Sequence, residues 1–121
     1  YPQVHKQTRA TAALMAMECD CYRKNFDGVL KREAKFRGEF ADTPESMLGS
    51  YWLGVALSQT GQDQLAAEVL EEVASAQLPT GERFQGVSVA KSARELAAKV
   101  HAKLGNAQRA RELTGQADQR Q

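Results

Sequence analysis

The residues from Tyr51 to Pro79, YWLGVALSQTGQDQLAAEVLEEVASAQLP, contain two apolar periodicities separated by one glycine and followed by a proline. In the second half, apolar side chains recur every three or four residues, at Leu65, Ala66, Val69, Leu70 and Val73. This spacing predicts a helix on each side of Gly61, which permits the left-handed backbone of a tight turn. Helices joined so closely pack antiparallel, so the stretch predicts a helical hairpin.

The rest of the chain has the same character. Ala, Leu, Glu, Gln, Lys and Arg dominate its 121 residues, and no stretch alternates apolar and polar residues as a strand would. We predict an all-α fold of six helices, at about 2–24, 27–41, 44–60, 63–77, 87–104 and 107–117. Thr43 is expected to cap the third helix and Pro44 to occupy its first turn. A loop is predicted around Pro79 and Gly81, and Gly105 is expected to end the fifth helix.

The apolar positions of the other helices predict the residues that face the core. The expected inward residues are Leu14, Met15, Met17, Cys21 and Tyr22 in the first helix, Val29, Leu30, Phe36 and Phe40 in the second, and Val89, Ala93, Leu96, Ala97 and Val100 in the fifth.

The central hairpin also carries a recognisable order of bulky and small residues. These are Tyr51 or Trp52, Leu53-Gly54, Leu57, Gly61, Ala66, Leu70 and the closing Pro79. The order resembles the tetratricopeptide repeat (TPR) family. In this arrangement Gly54 and Ala66 are expected to let the two helices approach closely, with Leu57 and Leu70 beside them.

Two further segments repeat this plan more loosely. They are LMAMECDCYRKNFDGVLKREAKF and LAAKVHAKLGNAQRARELTGQA, which lack the aromatic residue and the Leu-Gly pair, and His101 stands where a large apolar residue is expected. The resemblance implies one domain, 1–121, with repeats at about 2–41, 45–79 and 87–118. It implies a right-handed α-α superhelix, a TPR-like solenoid of three antiparallel hairpins. A generic α-helical bundle explains the same amphipathic pattern.

The charge balance narrows the choice of partners. Lys and Arg number 16 against 15 Asp and Glu, so the formal net charge is +1. A dedicated nucleic-acid or anionic-membrane binder would carry a clustered positive excess, so we expect no nucleic-acid partner. The basic segment KREAKFR (31–37) is interrupted by Glu33 and is typical of a solvated helix face. No apolar run approaches the roughly 20 residues of a membrane span, so no direct membrane insertion is expected.

The residues that could carry chemistry are sparse. Cys19 and Cys21 are two apart on a helix and point in different directions, so we expect buried, unpaired thiols. The histidines are His5 and His101, and the catalytic motifs HExxH and GxSxG are absent. Glu71, in the EEV segment, is expected on an exposed face. We therefore predict no enzyme, no metal site and no cofactor.

The TPR resemblance implies a non-catalytic scaffold that binds a protein or peptide segment along the concave groove lined by the first helix of each pair. The groove residues that it implies are Met17, Asp20, Tyr51, Val55, Ser58, Gln59, Lys99 and Lys103. Of the adjacent aromatics, we favour Tyr51 for the groove. Lys99 and Lys103, one turn apart, suit a segment with an acidic end, although solvated lysines explain them equally.

Other functions remain open at this stage. The alternative is a regulatory or ligand-sensing domain of a larger protein that controls an attached effector. Self-association through exposed ends is a further expectation, because no distinct polar capping helix closes the repeats. The chain begins with Tyr1 and no signal-peptide core, which is typical of an excised or processed piece. Two unpaired cysteines favour a reducing compartment, and we expect a cytoplasmic location.

Overall fold

A computed structural model of the chain describes residues 2–41, 43, 45–76 and 86–118. Within those ranges it contains six α-helices and no strand, as the composition predicts. The helices are α1 (Pro2–Tyr22), α2 (Phe26–Phe40), α3 (Ser46–Gln59), α4 (Asp63–Ser75), α5 (Gly86–Lys103) and α6 (Ala107–Asp118). The predicted Pro44, Pro79 and Gly81 lie outside the described residues. Over the described residues, every helix is too short or too polar to cross a lipid bilayer.

The turns within the three hairpins share one backbone geometry. Gly61 and Gly105 have φ values of +83° and +82°, which confirms both as left-handed helix ends. Lys24 takes the same place between α1 and α2 with φ +61°, in spite of its side chain. In each turn the next N–H donates to the carbonyl five residues back: Asn25 to Asp20 (2.8 Å), Gln62 to Leu57 (2.9 Å) and Asn106 to His101 (2.8 Å). The chain therefore closes each hairpin in the same way.

The start of α3 differs from the prediction. Thr43 Oγ1 donates to the carbonyl of Phe40 at 2.6 Å, at the end of α2, instead of accepting an N–H of α3. The residue preceding α3 is Glu45, which makes no side-chain cap hydrogen bond. The prediction that the Thr43 side chain caps α3 is therefore wrong, because its hydroxyl closes the preceding helix.

The helices form a row in which contacts join near neighbours. Each hairpin packs its two helices together, and α2 contacts α3 as α4 contacts α5. The first helices of the hairpins also contact each other, α1 with α3 and α3 with α5. Among the described residues, the second helices α2, α4 and α6 make no such contacts with one another. The central helix α3 consequently has neighbours on both sides, whereas α1 has them on one.

Two groups of buried side chains make up the core. One lies between the second and third hairpins and comprises Leu57, Ala66, Ala67, Leu70, Val73, Ala93, Ala97, Ala98, Val100 and Leu113. The other lies in the first hairpin and comprises Ala10, Met17, Phe36 and Phe40, with Trp52 of α3 packed against it. Most of the predicted inward residues are thus buried.

Glycines in α3 mark its two closest helix contacts. A Cβ on Gly54 would lie 2.6 Å from Leu70 Cδ2, so the missing side chain lets α3 and α4 approach, as predicted. A Cβ on Gly49 would lie 2.7 Å from Phe36 Cε1 and 3.5 Å from Met17 Cε. Gly54 therefore faces its own hairpin partner, and Gly49 faces the preceding hairpin.

Several predicted burials are wrong. Met15 is 60% exposed, because no described helix covers its side of α1. Tyr22, the last residue of α1, is 75% exposed although its ring lies 6.4 Å from that of Trp52 in α3. Leu65 on α4 is 50% exposed. Cys19 is exposed as well, while Cys21 is half-buried.

Glu33 was predicted to be exposed, as part of a segment typical of a solvated helix face, and is buried instead. Its carboxylate accepts a hydrogen bond from Arg37 Nη2 at 2.8 Å, one turn along α2. Burial raises the pKa of Glu33 above its usual value, and the Arg37 guanidinium opposes that shift.

Candidate binding surface

Three aromatic side chains of α1 and α3 form a cluster: Tyr22, Tyr51 and Trp52. The Tyr51 and Trp52 ring centroids are 5.0 Å apart, and those of Tyr22 and Trp52 are 6.4 Å apart, both edge to face. Such pairs add about 0.5–1.5 kcal/mol beyond the burial of their area. Tyr51 and Trp52 are half-buried, whereas Tyr22 is open to solvent. The aromatic cluster is therefore rigid at its base and accessible at Tyr22.

Tyr51 lies where the first helices of all three hairpins meet. Burial raises the pKa of its phenol, a hydrogen bond with Ser92 of α5 opposes that rise, and the nearby Cys21, Tyr22 and Glu95 add to it. These neighbours come from α1 and α5, on either side of α3. The aromatic cluster thus lies on the side of the molecule that the resemblance predicts to be the groove.

Two other predicted residues of α3 stay close to this surface. Val55 is half-buried and Gln59 is exposed, one turn and two turns after Tyr51. Ser58 is buried instead, and its hydroxyl donates to the Val55 carbonyl at 2.7 Å. Tyr51, Val55 and Gln59 are therefore the part of the predicted set that α3 leaves accessible.

The predicted residues of α1 are not accessible. Met17 is completely buried in the core of the first hairpin. Asp20 is buried, and its carboxylate accepts hydrogen bonds from Arg32 Nε at 2.7 Å and Asn25 Nδ2 at 3.5 Å. Both residues face the core side of the first hairpin, so neither lines an open surface.

The two predicted lysines of α5 separate in the structure. Lys99 is exposed, and Lys103 Nζ lies 3.3 Å from Asp63 Oδ1 at the start of α4. An acidic partner would have to compete with Asp63 for Lys103. Only Lys99 of this pair keeps the role that the sequence suggested.

Carboxylates lie near two residues at the aromatic cluster, Cys21 and Tyr51. Cys21 has its pKa raised to about 11, first by burial and then by the carboxylates of Asp20 and Glu18. Glu95 acts on Tyr51 in the same direction. Because Asp20 is paired with Arg32, the carboxylates left to act on a partner are Glu18 and Glu95, and they favour an apolar or basic side chain over an acidic one.

Sequence reasoning missed a polar network that joins α4, α5 and α6. Glu71 Oε1 accepts hydrogen bonds from Arg109 Nε at 2.8 Å and from Arg109 Nη2, and Glu71 Oε2 lies 2.8 Å from His101 Nε2. Asn106 Nδ2 lies 3.3 Å from His101 Nδ1, so Nδ1 can accept this hydrogen bond while Nε2 donates to Glu71. Arg109 also donates to Glu112 at 3.0 Å.

Glu71 was predicted to lie on an exposed face, whereas in the structure it is half-buried within this network. Burial raises the pKa of Glu71, but the bonds from Arg109 and His101 outweigh that effect and hold it below its usual value. His101, which occupies an apolar position of the repeat, was the one sequence signal. Its partners lie 30 and 5 residues away and no local spacing links all of them.

A groove of about 200 Å³ lies between α1 and α2. Its lining comprises Arg9, Ala13, Arg32, Lys35, Phe36, Glu39 and Phe40. Arg9 pairs with Glu39 at 2.9 Å and lies over the Phe40 ring, and Arg32 pairs with Asp20. Because carboxylates of this chain already hold two of the three cations, the groove is a weak anion site.

No group of three or more His, Cys, Asp or Glu residues that could hold a metal ion occurs among the described residues. In comparisons with protein-family models, curated proteins and solved structures, nothing matched the chain.

Proposed function

We propose that this protein is a non-catalytic interaction scaffold of the TPR-like type, which binds a peptide or partner segment across the aromatic cluster. The observation that carries the proposal is the position of Tyr22, Tyr51 and Trp52 where α1 and α3 meet, with α5 reaching Tyr51 through Ser92. Aromatic side chains fixed at their base are the residues that most often dominate binding energy at protein interfaces.

The arrangement of the hairpins supports a superhelical row. The same turn closes all three hairpins, and the first helices contact each other while the second helices do not. Contacts among first helices alone are what a curved stack with these helices on its inner side would have. The aromatic cluster, Val55 and Gln59 would then line the concave surface.

The side chains of this surface favour a partner with apolar and basic residues. An apolar side chain, such as leucine or phenylalanine, would pack on the exposed Tyr22 ring and against Trp52. A basic residue next to it would face Glu95. Away from this surface, His101 and Arg109 both bind Glu71, which suits a structural role for these three groups in a scaffold that is no enzyme.

Trp52 allows a direct test because it is the only tryptophan of the chain. Peptides selected from a random phage-display library on the immobilised protein would be titrated while Trp52 fluorescence is recorded. We expect selected peptides rich in apolar and basic residues to change the Trp52 emission. Tyr22→Ala should weaken their binding at least about tenfold, the usual effect of removing an interface hot spot.

Leu65→Ala is the matched control, since Leu65 is also a large exposed apolar residue but lies on α4. It should leave the affinity unchanged. Peptides that bind without altering Trp52 emission, or that bind Tyr22→Ala as tightly as the unaltered chain, would refute the proposed site.

A further inference from the structure

The outer face of α1 carries an uncharged stripe, which we call the α1 seam: Thr8, Ala12, Met15 and Cys19. The spacings of four, three and four residues place all four side chains on one side of the helix. All four are exposed, and together they extend about 16 Å at 1.5 Å per residue.

The repeated turn assigns these positions a role. The three hairpins can be aligned on their left-handed turn residues, Lys24, Gly61 and Gly105. Twelve residues before the turn, Ala12 of α1 then corresponds to Gly49 of α3 and Ala93 of α5. Five residues before the turn, Cys19 corresponds to Ala56 and Val100. Those four counterparts are all buried. The α1 seam is thus the copy of a packing surface that α3 and α5 keep covered.

For α3, the structure shows which element covers this packing surface. Gly49 lies against the Phe36 ring of the preceding hairpin, and Trp52, the counterpart of Met15, packs against the core of that hairpin. The contact sets a small residue of one helix opposite a large residue of another. Ala12 and Met15 offer the same small and large pair on α1.

We propose that a second copy of this chain covers the α1 seam, with the two α1 helices antiparallel. In this register Met15 of each copy packs on Ala12 of the other, and Cys19 of each copy faces Thr8 of the other. A two-fold axis then relates the two copies, so that the same four residues of each copy form the interface. This self-complementary arrangement is that of an isologous dimer. Antiparallel helices also oppose their dipoles favourably.

The flanking charges permit this pairing. Arg9 and Glu18 border the α1 seam on opposite sides, and the antiparallel register sets Arg9 beside Ala16 of the other copy and Glu18 beside Thr11. No pair of like charges is brought together. At the other end of the row, α6 exposes Arg111 and Thr114, so it offers no comparable uncharged face.

The first test measures mass by sedimentation equilibrium as a function of concentration. The unaltered chain should show a concentration-dependent dimer. Met15→Glu would bury two carboxylates without partners, so it should raise the dimer dissociation constant at least about tenfold. Leu65→Glu, the same change at another exposed apolar residue, should leave the dimer intact. A chain that stays monomeric, or a dimer indifferent to Met15→Glu, overturns the proposal.

The second test fixes the register. In a Cys21→Ser background, Thr8→Cys faces Cys19 of the other copy, and diamide should oxidise the two thiols to a disulfide that links the copies. Without Thr8→Cys, the same background should give little crosslinking, because the two Cys19 residues are far apart when the helices run antiparallel. Efficient Cys19–Cys19 linkage would instead indicate parallel helices and refute the register. Circular dichroism would confirm that each variant keeps its helix content.

Discussion

Replacing Glu71 by Gln tests whether one carboxylate fixes the third hairpin to the second. The substitution keeps the size and shape of the side chain and removes its charge. Glu71 on α4 binds His101 at the end of α5 and Arg109 at the start of α6, so both helices of the third hairpin depend on it.

The magnitude follows from the hydrogen bonds that Gln cannot keep. A carboxylate accepts from both partners, whereas an amide accepts at its oxygen and donates at its nitrogen. If the oxygen faces Arg109, the amide N–H₂ meets the Nε2 proton of His101, and the opposite orientation sets it against the Arg109 guanidinium. At least one bond is therefore lost in either orientation.

A hydrogen bond to a charged group contributes about 1.5–3 kcal/mol. The side chains of His101 and Glu71 are 10% and 27% exposed, but that of Arg109 is 36% exposed, where water screens the pair. We therefore expect Glu71→Gln to lower the free energy of unfolding by about 1–2 kcal/mol.

Urea denaturation followed by circular dichroism measures this change, and the cycle of Glu71→Gln, Arg109→Gln and the double variant isolates the pair. The coupling energy should be about 1 kcal/mol. Glu72→Gln is the matched control, since Glu72 is exposed beside Glu71, and it should change stability by less than about 0.5 kcal/mol. A coupling below about 0.3 kcal/mol would refute the reasoning, because distant and independent sites show that much.

The pH dependence supplies an independent check on the same residue. The folded pKa of Glu71 is below its usual value of 4.5, so its contribution is complete above that value. It is lost as pH falls through the folded pKa. The stability difference between the unaltered chain and Glu71→Gln should therefore shrink when urea curves are repeated below about pH 4.5.

Three further predictions test the packing, the turns and the thiols. Gly54→Ala should lower the free energy of unfolding, measured by urea denaturation, by about 1–3 kcal/mol, because its Cβ would lie 2.6 Å from Leu70 Cδ2. In a Leu70→Ala background this loss should shrink, and an unchanged loss would contradict the proposed clash. Gly61→Ala should lower the free energy of unfolding by about 1 kcal/mol, because alanine is strained at a φ of +83°. Lys24→Gly should raise the free energy of unfolding by a similar amount, because glycine relieves the same strain at that turn. If both substitutions changed stability in the same direction, the two turns would not be equivalent. At a protein concentration at which the chain is monomeric, iodoacetamide at pH 8 should label exposed Cys19 faster than Cys21. The Cys21 rate should rise as pH approaches its pKa of about 11, as peptide mass spectrometry would show, and equal rates would contradict the burial of Cys21.

The helices and their turns could be predicted from the sequence because local rules determine them. Apolar spacing gave all six helices, with ends mostly within two residues of those observed. Gly61 and Gly105 needed no tertiary information, since a left-handed residue after a helix favours glycine whatever packs nearby. Gly54 could be assigned as a contact point only from its place in the TPR-like order, since Gly38 and Gly115 also lie in helices and have no neighbour within 4 Å of where a Cβ would lie.

The candidate site was harder to predict because burial depends on neighbours as well as on periodicity. Tyr51, Val55 and Gln59 follow one side of α3 and remain at least partly accessible, whereas Met17 and Asp20 belong to the first hairpin's interior. The Glu71–His101–Arg109 network spans 38 residues. His101 at an apolar position of the repeat signals an unusual site, but a single sequence does not show which distant residues it pairs with.

Position in the row explains why equivalent residues have different surroundings. Ala12, Gly49 and Ala93 occupy the same place relative to their turns, and a hydrophobicity pattern treats them alike. Gly49 and Ala93 are nevertheless buried and Ala12 is exposed, because α3 and α5 follow a hairpin that packs on them. The periodicity of a repeat thus predicts which positions can be buried, and the presence of a neighbour decides which of them are. An end helix that keeps an uncharged packing face is therefore where a repeat protein is best suited to meet another molecule.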